Sequence, residues 1–101
     1  MRCLDPVYMA RSSDDSVRKF YSVLKCLSEV GKVKLNEVDK FRTEYALFVN
    51  EWVRANESAF LDFDNKNQRL DEFLMKHMAE KLVLLPVIKR LLLMPQKQAF
   101  N

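Results

Sequence analysis

Glycine and proline are scarce in this sequence, which has one Gly and three Pro among 101 residues. Sheets of short strands need many turn residues, so this scarcity argues against β-sandwiches and barrels. A single Gly also excludes the glycine-rich loops that cradle phosphates in nucleotide-binding proteins. The sequence therefore predicts an all-α fold, in which helices are joined by short connections.

Cysteine and histidine are equally sparse. Cys3 and Cys26 are the two cysteines, and no further Cys could build a disulfide framework, so we expect a reduced intracellular protein of the nucleus or cytoplasm. His77 is the only His and has no Cys or second His at i+3 or i+4, as a local zinc site or nucleophile dyad would need. We interpret it as a partly buried, hydrogen-bonded core residue.

One acidic cluster invites comparison with a calcium loop: Asp62, Asp64, Asp71 and Glu72. An EF-hand loop starting at Asp62 would need Gly where Asn67 stands and Glu where Phe73 stands. The residues that form the turn and close such a site are therefore missing. We expect no metal, no cofactor and no catalytic residue, and so no enzyme.

Long apolar runs are also missing, apart from one. Leu82–Met94 is too short to span a bilayer and contains Lys89 and Arg90, so we expect no membrane association. The net charge of +3 comes from 17 basic and 14 acidic residues that are interspersed along the chain. Nucleic-acid-binding modules usually concentrate Lys and Arg on one face, so this charge permits DNA binding without indicating it.

Apolar residues recur at steps of three and four, which predicts an antiparallel bundle of about four helices in a single domain, residues 1–101. Three of these helices cover roughly residues 13–30, 37–57 and 66–80. Their expected N-caps are Ser12 or Ser13, Asn36, and Asn65 with Gln68. Gly31 is expected to end the first helix in a left-handed conformation.

The fourth helix is predicted over residues 86–95. Pro86 suits the first position of a helix, whereas inside a continuous helix it would cost about 3 kcal/mol, so we favour a break before it. Pro95 ends this helix. Residues 1–11 form an N-terminal arm that could pack on the bundle, and residues 96–101 form a tail.

Two sets of residues are candidates for binding. The apolar run Leu82–Pro95 needs cover, so its side chains either fill the core or face a partner: Leu85, Ile88, Leu91, Leu92 and Met94. Four basic residues could contact phosphates if the chain binds nucleic acid: Arg18, Lys89, Arg90 and Lys97. A helical bundle with no present activity is the remaining alternative.

Three segments carry a likeness to a known family, in its order and at matching spacing: Cys3–Pro6 with Met9–Arg11, Phe60–Asp64 with Arg69–Asp71, and Leu85–Met94 with Gln98–Ala99. They resemble the Leu-Asp-Pro-x-x-Met-Ala-Arg, Phe-x-x-Phe-Asp and Val-Val-Lys-x-Leu-Leu segments of transposase-like proteins of the hAT superfamily. The resemblance implies a helical region that precedes the last acidic residue of the family's catalytic triad.

The chain also departs from that family. It ends at Asn101, before the Glu-Arg-x-Phe-Ser helix that bears the catalytic Glu, and it lacks the RNase H-like region. Leu85 replaces the family's Trp, and Pro95–Lys97 replaces its Ser-His-Gly turn. We therefore expect a non-catalytic, transposon-derived fragment that acts as a protein-interaction or dimerisation module, with a homodimer or another protein as its partner.

Overall fold

The computed structural model describes residues 2–79 and 84–93, and none of these lies in a β-strand. The prediction of an all-α fold is confirmed. The described residues form six α-helices rather than the expected four: α1 (Pro6–Arg11), α2 (Ser13–Glu29), α3 (Val38–Leu47), α4 (Glu57–Leu61), α5 (Leu70–Met78) and α6 (Leu85–Leu93). Arg2–Leu4 and Leu35–Glu37 are 3-10 turns, and Phe48–Val53 is a π-helical segment.

The N-terminal residues are more regular than an arm. The Asp5 carboxylate accepts a hydrogen bond from the backbone N–H of Val7 (3.0 Å), and Pro6 occupies the first turn of α1. The Asp5-Pro6 pair is therefore the start signal of α1, with Asp at the N-cap and Pro in the first turn. Cys3 and Met9 are buried, so this end of the chain belongs to the core.

Helix α2 matches its predicted bounds to within one residue, but its serines do not cap it. Ser12 is the N-cap residue and makes no side-chain cap hydrogen bond. The Ser13 hydroxyl donates to the carbonyl of Met9 instead (2.9 Å). Because α1 ends immediately before α2, this serine lies close to the last turn of the preceding helix and bonds there.

The end of α2 confirms the expectation for Gly31, whose φ is +76°. The Lys32 N–H donates to the Leu27 carbonyl (2.8 Å), and the Gly31 N–H donates to the Ser28 carbonyl (3.2 Å). These two bonds are those of a Schellman motif, which satisfies carbonyls left unpaired at a helix end. The connection from α2 to α3 therefore starts in a defined conformation.

The helix predicted over residues 37–57 runs from Val38 to Ala55, with a π-helical segment at Phe48–Val53 inside it. Asn36 lies in a 3-10 turn, and Glu37 stands at the N-cap position of α3 without a side-chain cap bond. After the π-helical segment, the Asn56 side chain donates to the carbonyl of Trp52 (2.8 Å), and α4 begins one residue later. A π turn contains more residues than an α turn, so it changes which side chains face the core.

Helix α5 begins four residues later than predicted. Asn65 and Gln68 do not cap it, because Arg69 is the N-cap residue. The Gln68 side chain accepts from the Asp64 N–H (3.1 Å), and the Asn67 side chain donates to the Asp64 carboxylate (2.7 Å). The polar side chains of this segment therefore close the loop on itself.

Helix α6 begins at Leu85, with Pro86 in its first turn and a hydrogen bond from the Ile88 N–H to the Leu84 carbonyl (2.9 Å). Its start agrees with the prediction to within one residue. The predicted break before Pro86 and the predicted end of α5 fall on residues 80–83, outside the described residues. The predicted end of this helix at Pro95 and the predicted tail at residues 96–101 also lie outside the described residues.

Tyr45 lies at the centre of the core, where its ring stacks on Phe20 with 4.1 Å between ring centroids. Its hydroxyl donates to the carbonyl of Cys3, which joins α3 to the N-terminal turn. Further buried side chains from every described helix surround this pair, among them Met9, Leu24, Phe48, Phe60, Leu74, Ile88 and Leu91.

Replacing Tyr45 by Phe should destabilise the fold by about 1–3 kcal/mol, because the buried Cys3 carbonyl then loses its donor. Urea denaturation of both proteins would measure this difference. The matched control is Tyr21→Phe, since Tyr21 is only partly buried, and this change should cost less than about 0.5 kcal/mol. Equal effects of the two substitutions would contradict a structural role for the Tyr45 hydroxyl.

Replacing Gly31 by Ala should destabilise the fold by about 1 kcal/mol, because its positive φ disfavours a Cβ. A Cβ would meet no atom within 4 Å, so the cost comes from the backbone alone. Gly31→Asn should be milder, since Asn tolerates this conformation better. An unchanged melting temperature in Gly31→Ala would contradict the argument.

Candidate functional site

Helix α5 carries the richest group of interacting side chains. Phe73 and His77 lie one turn apart with ring centroids 4.4 Å apart, and Phe60 of α4 packs against both at 5.1 and 4.8 Å. Phe63 also packs against Phe73, at 5.0 Å. These contacts attach α5 to α4 and leave His77 at the border between core and solvent.

The Trp52 indole N–H donates a hydrogen bond to Nδ1 of His77 (3.1 Å). An imidazole that accepts at Nδ1 is neutral and carries its proton on Nε2. Partial burial, and then the nearby positive charge of Lys76, lower the pKa of His77 from its ordinary value. At neutral pH the residue is therefore an uncharged hydrogen-bond donor, in agreement with the expected hydrogen-bonded core histidine.

His77 lines an open cleft of about 530 Å³ between α4, α5 and the loop that joins them. The other residues lining the cleft are Ala59, Asp62, Asn67, Gln68, Arg69, Glu72, Phe73 and Lys76. Arg69 is engaged by Asp71 (2.9 Å) and Glu72 (3.6 Å). Among the described residues no nucleophile is paired with His77, so the cleft contains no recognisable catalytic dyad.

The acidic cluster of the sequence does not assemble. One Asp64 oxygen accepts from the Lys66 N–H and the other from the Asn67 side chain, while Asp71 pairs with Arg69. Within residues 2–79 and 84–93, no group of three or more His, Cys, Asp or Glu side chains could hold a metal ion.

Two titratable side chains are buried in the core, Cys3 and Tyr45. Burial raises the pKa of the Cys3 thiol to about 11, so this cysteine is not a thiolate at neutral pH. Burial, and then the nearby Cys3, also raise the pKa of Tyr45. Both groups stay neutral and belong to the packing of the core.

The apolar residues of α6 lie largely inside the protein. Ile88 and Leu91 of the candidate set are buried, as are Leu84 and Val87. The side chains of Leu85 and Leu92, and all of Met94, lie outside the described part of the structure. The two candidates that can be placed, Ile88 and Leu91, are therefore buried within the single chain.

The four candidate phosphate contacts do not form one patch. Arg18 pairs with Asp15 at 3.1 Å near the start of α2. Arg90 donates to the Lys32 carbonyl beyond the other end of α2, which places the two arginines about 20 Å apart along that helix. Lys89 is exposed beside Arg90, and Lys97 lies outside the described residues.

A different surface stands out at the α2–α3 connection, which we call the tip: Val30, Gly31, Lys32, Lys34 and Leu35. Val30 is 66% exposed and Leu35 is 78% exposed, while Lys32 and Lys34 are also exposed. Sequence reasoning missed this surface because the segment has no helical periodicity. The only signal available in the sequence was that two apolar residues, Val30 and Leu35, lie on either side of a segment that contains Gly31 and two lysines.

None of the described helices is long and apolar enough to span a bilayer.

Because His77 and Trp52 are the only His and Trp, each can be followed without assignment. His77 should titrate below its ordinary pKa of about 6.5, and the indole N–H signal of Trp52 should shift with the same midpoint in NMR spectra. The unfolded chain then binds the proton more readily than the folded one. Stability should therefore be full above about pH 7 and fall as the pH drops through 6.5 toward the lower folded value.

The matched variant is Trp52→Phe, which removes the bond that stabilises the neutral imidazole. It should raise the pKa of His77 back toward its ordinary value. Independent midpoints for His77 and Trp52 in the unmodified chain would contradict this coupling.

No protein-family model matches this chain, and neither a curated protein sequence nor a solved structure shows significant similarity to it.

Proposed function

We propose that this chain is a non-catalytic helical module that binds another protein through the tip of the α2–α3 connection. The observation that carries the proposal is the exposure of Val30 and Leu35 on an ordered segment. Burying one such side chain on a partner would contribute about 1.5–3 kcal/mol. Isolated exposed apolar residues are common on protein surfaces, but these two lie close together in one short connection.

The tip is also well suited to binding because hydrogen bonds and a buried side chain fix its conformation. The Schellman bonds fix the start of the connection, and the side chain of Val33 is buried in the core between the exposed Lys32 and Lys34. An ordered surface loses little conformational entropy when a partner binds. The buried apolar face of α6 offers no comparable surface among its described side chains.

We include the ancestry suggested by the hAT-like motifs in this proposal, as a fragment of a transposase-like protein of the nucleus or cytoplasm. Residues from all three motif regions take part in one hydrophobic core: Met9, Phe60 and Ile88 are fully buried. An antiparallel arrangement of the longer helices belongs to the same proposal. Phe20 of α2 contacts Tyr45 of α3, whereas the next residue of α2, Tyr21, contacts Arg42, which precedes Tyr45 in α3. Contacts that advance along α2 while they go back along α3 support antiparallel helices.

The absence of catalysis is part of the proposal too. His77 is the best candidate for proton transfer, yet its Nδ1 is occupied by Trp52 and its cleft offers no nucleophile among the described residues. A single neutral histidine without a reacting partner supports binding better than chemistry.

Site-specific photo-crosslinking from position 35 in cells would test the proposal. A crosslinker at Leu35 should give a discrete protein adduct, which Val30→Asp should abolish while the melting temperature stays almost unchanged, since both residues are exposed. The matched control is a crosslinker at Leu47, an exposed leucine on α3 that is 43% exposed and lies outside the tip.

Absence of any adduct from position 35, together with a monomer at every concentration in sedimentation, would overturn the proposal. An adduct with a second copy of the chain, matched by concentration-dependent sedimentation, would establish the dimerisation form of the module.

A further inference from the structure

We propose that the tip binds an acidic amphipathic segment of a partner protein, in which apolar side chains cover Val30 and Leu35 and carboxylates contact surrounding basic groups. This inference rests on the proposed function and specifies the chemistry of the partner. It follows from the charges that the fold collects around the exposed apolar residues.

Basic groups reach the tip from two distant parts of the chain. The Arg90 guanidinium donates to the carbonyl oxygen of Lys32, so the side chain of this α6 residue reaches the connection. Lys89 is the neighbour of Arg90 and is exposed, as are Lys32 and Lys34. The fold therefore brings basic residues of α6 to the region of Val30 and Leu35, although no such cluster exists in the sequence.

No ion pair among the described residues neutralises these four basic groups. The ion pairs found among the described residues involve Arg18, Lys19 and Arg69, and none of the four basic groups at the tip takes part in one. Acidic residues do flank the connection, at Glu29 and at Glu37 with Asp39. Because they lie on its two sides, they would repel carboxylates placed off-centre and so favour binding across the middle of the tip.

Nucleic acid fits the same surface less well. Phosphates would engage the four cations, but Val30 and Leu35 would then lie against a charged backbone and lose solvent without gaining an apolar partner. No aromatic side chain belongs to the tip, so bases have no stacking platform there. A protein segment that alternates acidic and apolar side chains satisfies both parts of the surface.

The test uses the full chain labelled with ¹⁵N and a synthetic helical peptide that carries Leu and Glu on one face. Saturable chemical-shift changes should appear at the backbone amides of Gly31, Lys32 and Leu35. The same peptide with Gln in place of Glu should bind more weakly by roughly tenfold or more, as expected when interfacial charge pairs are lost.

Variants locate the site. Lys32→Glu with Lys34→Glu should weaken binding by roughly tenfold or more, and Leu35→Asp should do the same. The matched control is Arg54→Glu with Lys66→Glu, which changes the net charge by the same amount at exposed positions outside the tip and should leave the affinity unchanged.

Several results would overturn the inference. Equal binding of the Gln and Glu peptides would remove the role of the charges, and duplex DNA that displaces the peptide with higher affinity would assign the surface to nucleic acid. Absence of any shift with the peptide, while a crosslinker at Leu35 still gives a protein adduct, would refute the acidic partner and leave the interaction module standing. Failure of both experiments would refute both proposals.

Discussion

The buried hydroxyl of Tyr45 constrains the whole described structure. A phenol with no access to water must find a hydrogen-bond partner, and here the Tyr45 hydroxyl donates a hydrogen bond to the carbonyl of Cys3. The same ring stacks on Phe20, so one side chain joins the N-terminal turn, α2 and α3. Ser16 is also buried, and its hydroxyl donates to the carbonyl of Ser13 (2.7 Å). In this buried setting the hydrogen bond of Tyr45 is strong, and its loss leaves a buried acceptor unsatisfied.

The described apolar side chains of α6 are covered as well. Ile88 and Leu91 are buried in the same hydrophobic core as Tyr45. Leu84, Val87, Ile88 and Leu91 of the apolar run are thus buried in the fold. Among the described residues, the large apolar side chains that stay exposed are Leu47 on α3 and the pair Val30 and Leu35 at the α2–α3 connection, which the Arg90 side chain also reaches. In the function that we propose, the binding surface is therefore this connection, which has no distinctive pattern in the sequence, and not the most hydrophobic segment.

The aromatic rings around His77 join α5 to its neighbours, as Tyr45 joins α3 to α2 and the N-terminal turn. Trp52 fixes the tautomer of the imidazole, and Phe60 and Phe73 pack on it, so α5 is attached to the π-helical segment and to α4 by contacts among aromatic rings. A histidine that is hydrogen-bonded and kept neutral in this way serves as a packing residue with a polar edge. The cleft beside it is open and has both polar and apolar walls, and its charged groups are partly paired with one another.

The sequence by itself determined the features that depend on local interactions. The apolar spacing predicted the bounds of α2, Gly31 predicted its left-handed end, and Pro86 predicted the start of α6. Each of these features depends on residues within a turn or two. Tertiary structure decided the rest. Contacts between distant residues, such as Tyr45 with Cys3, Trp52 with His77 and Arg90 with Lys32, leave no periodic signal. The predicted caps failed for the same reason, since Ser13, Asn36 and Gln68 found other surroundings in the folded chain. Local propensity selects helices, but which faces they bury depends on how they pack, and packing also determines what is left for a partner.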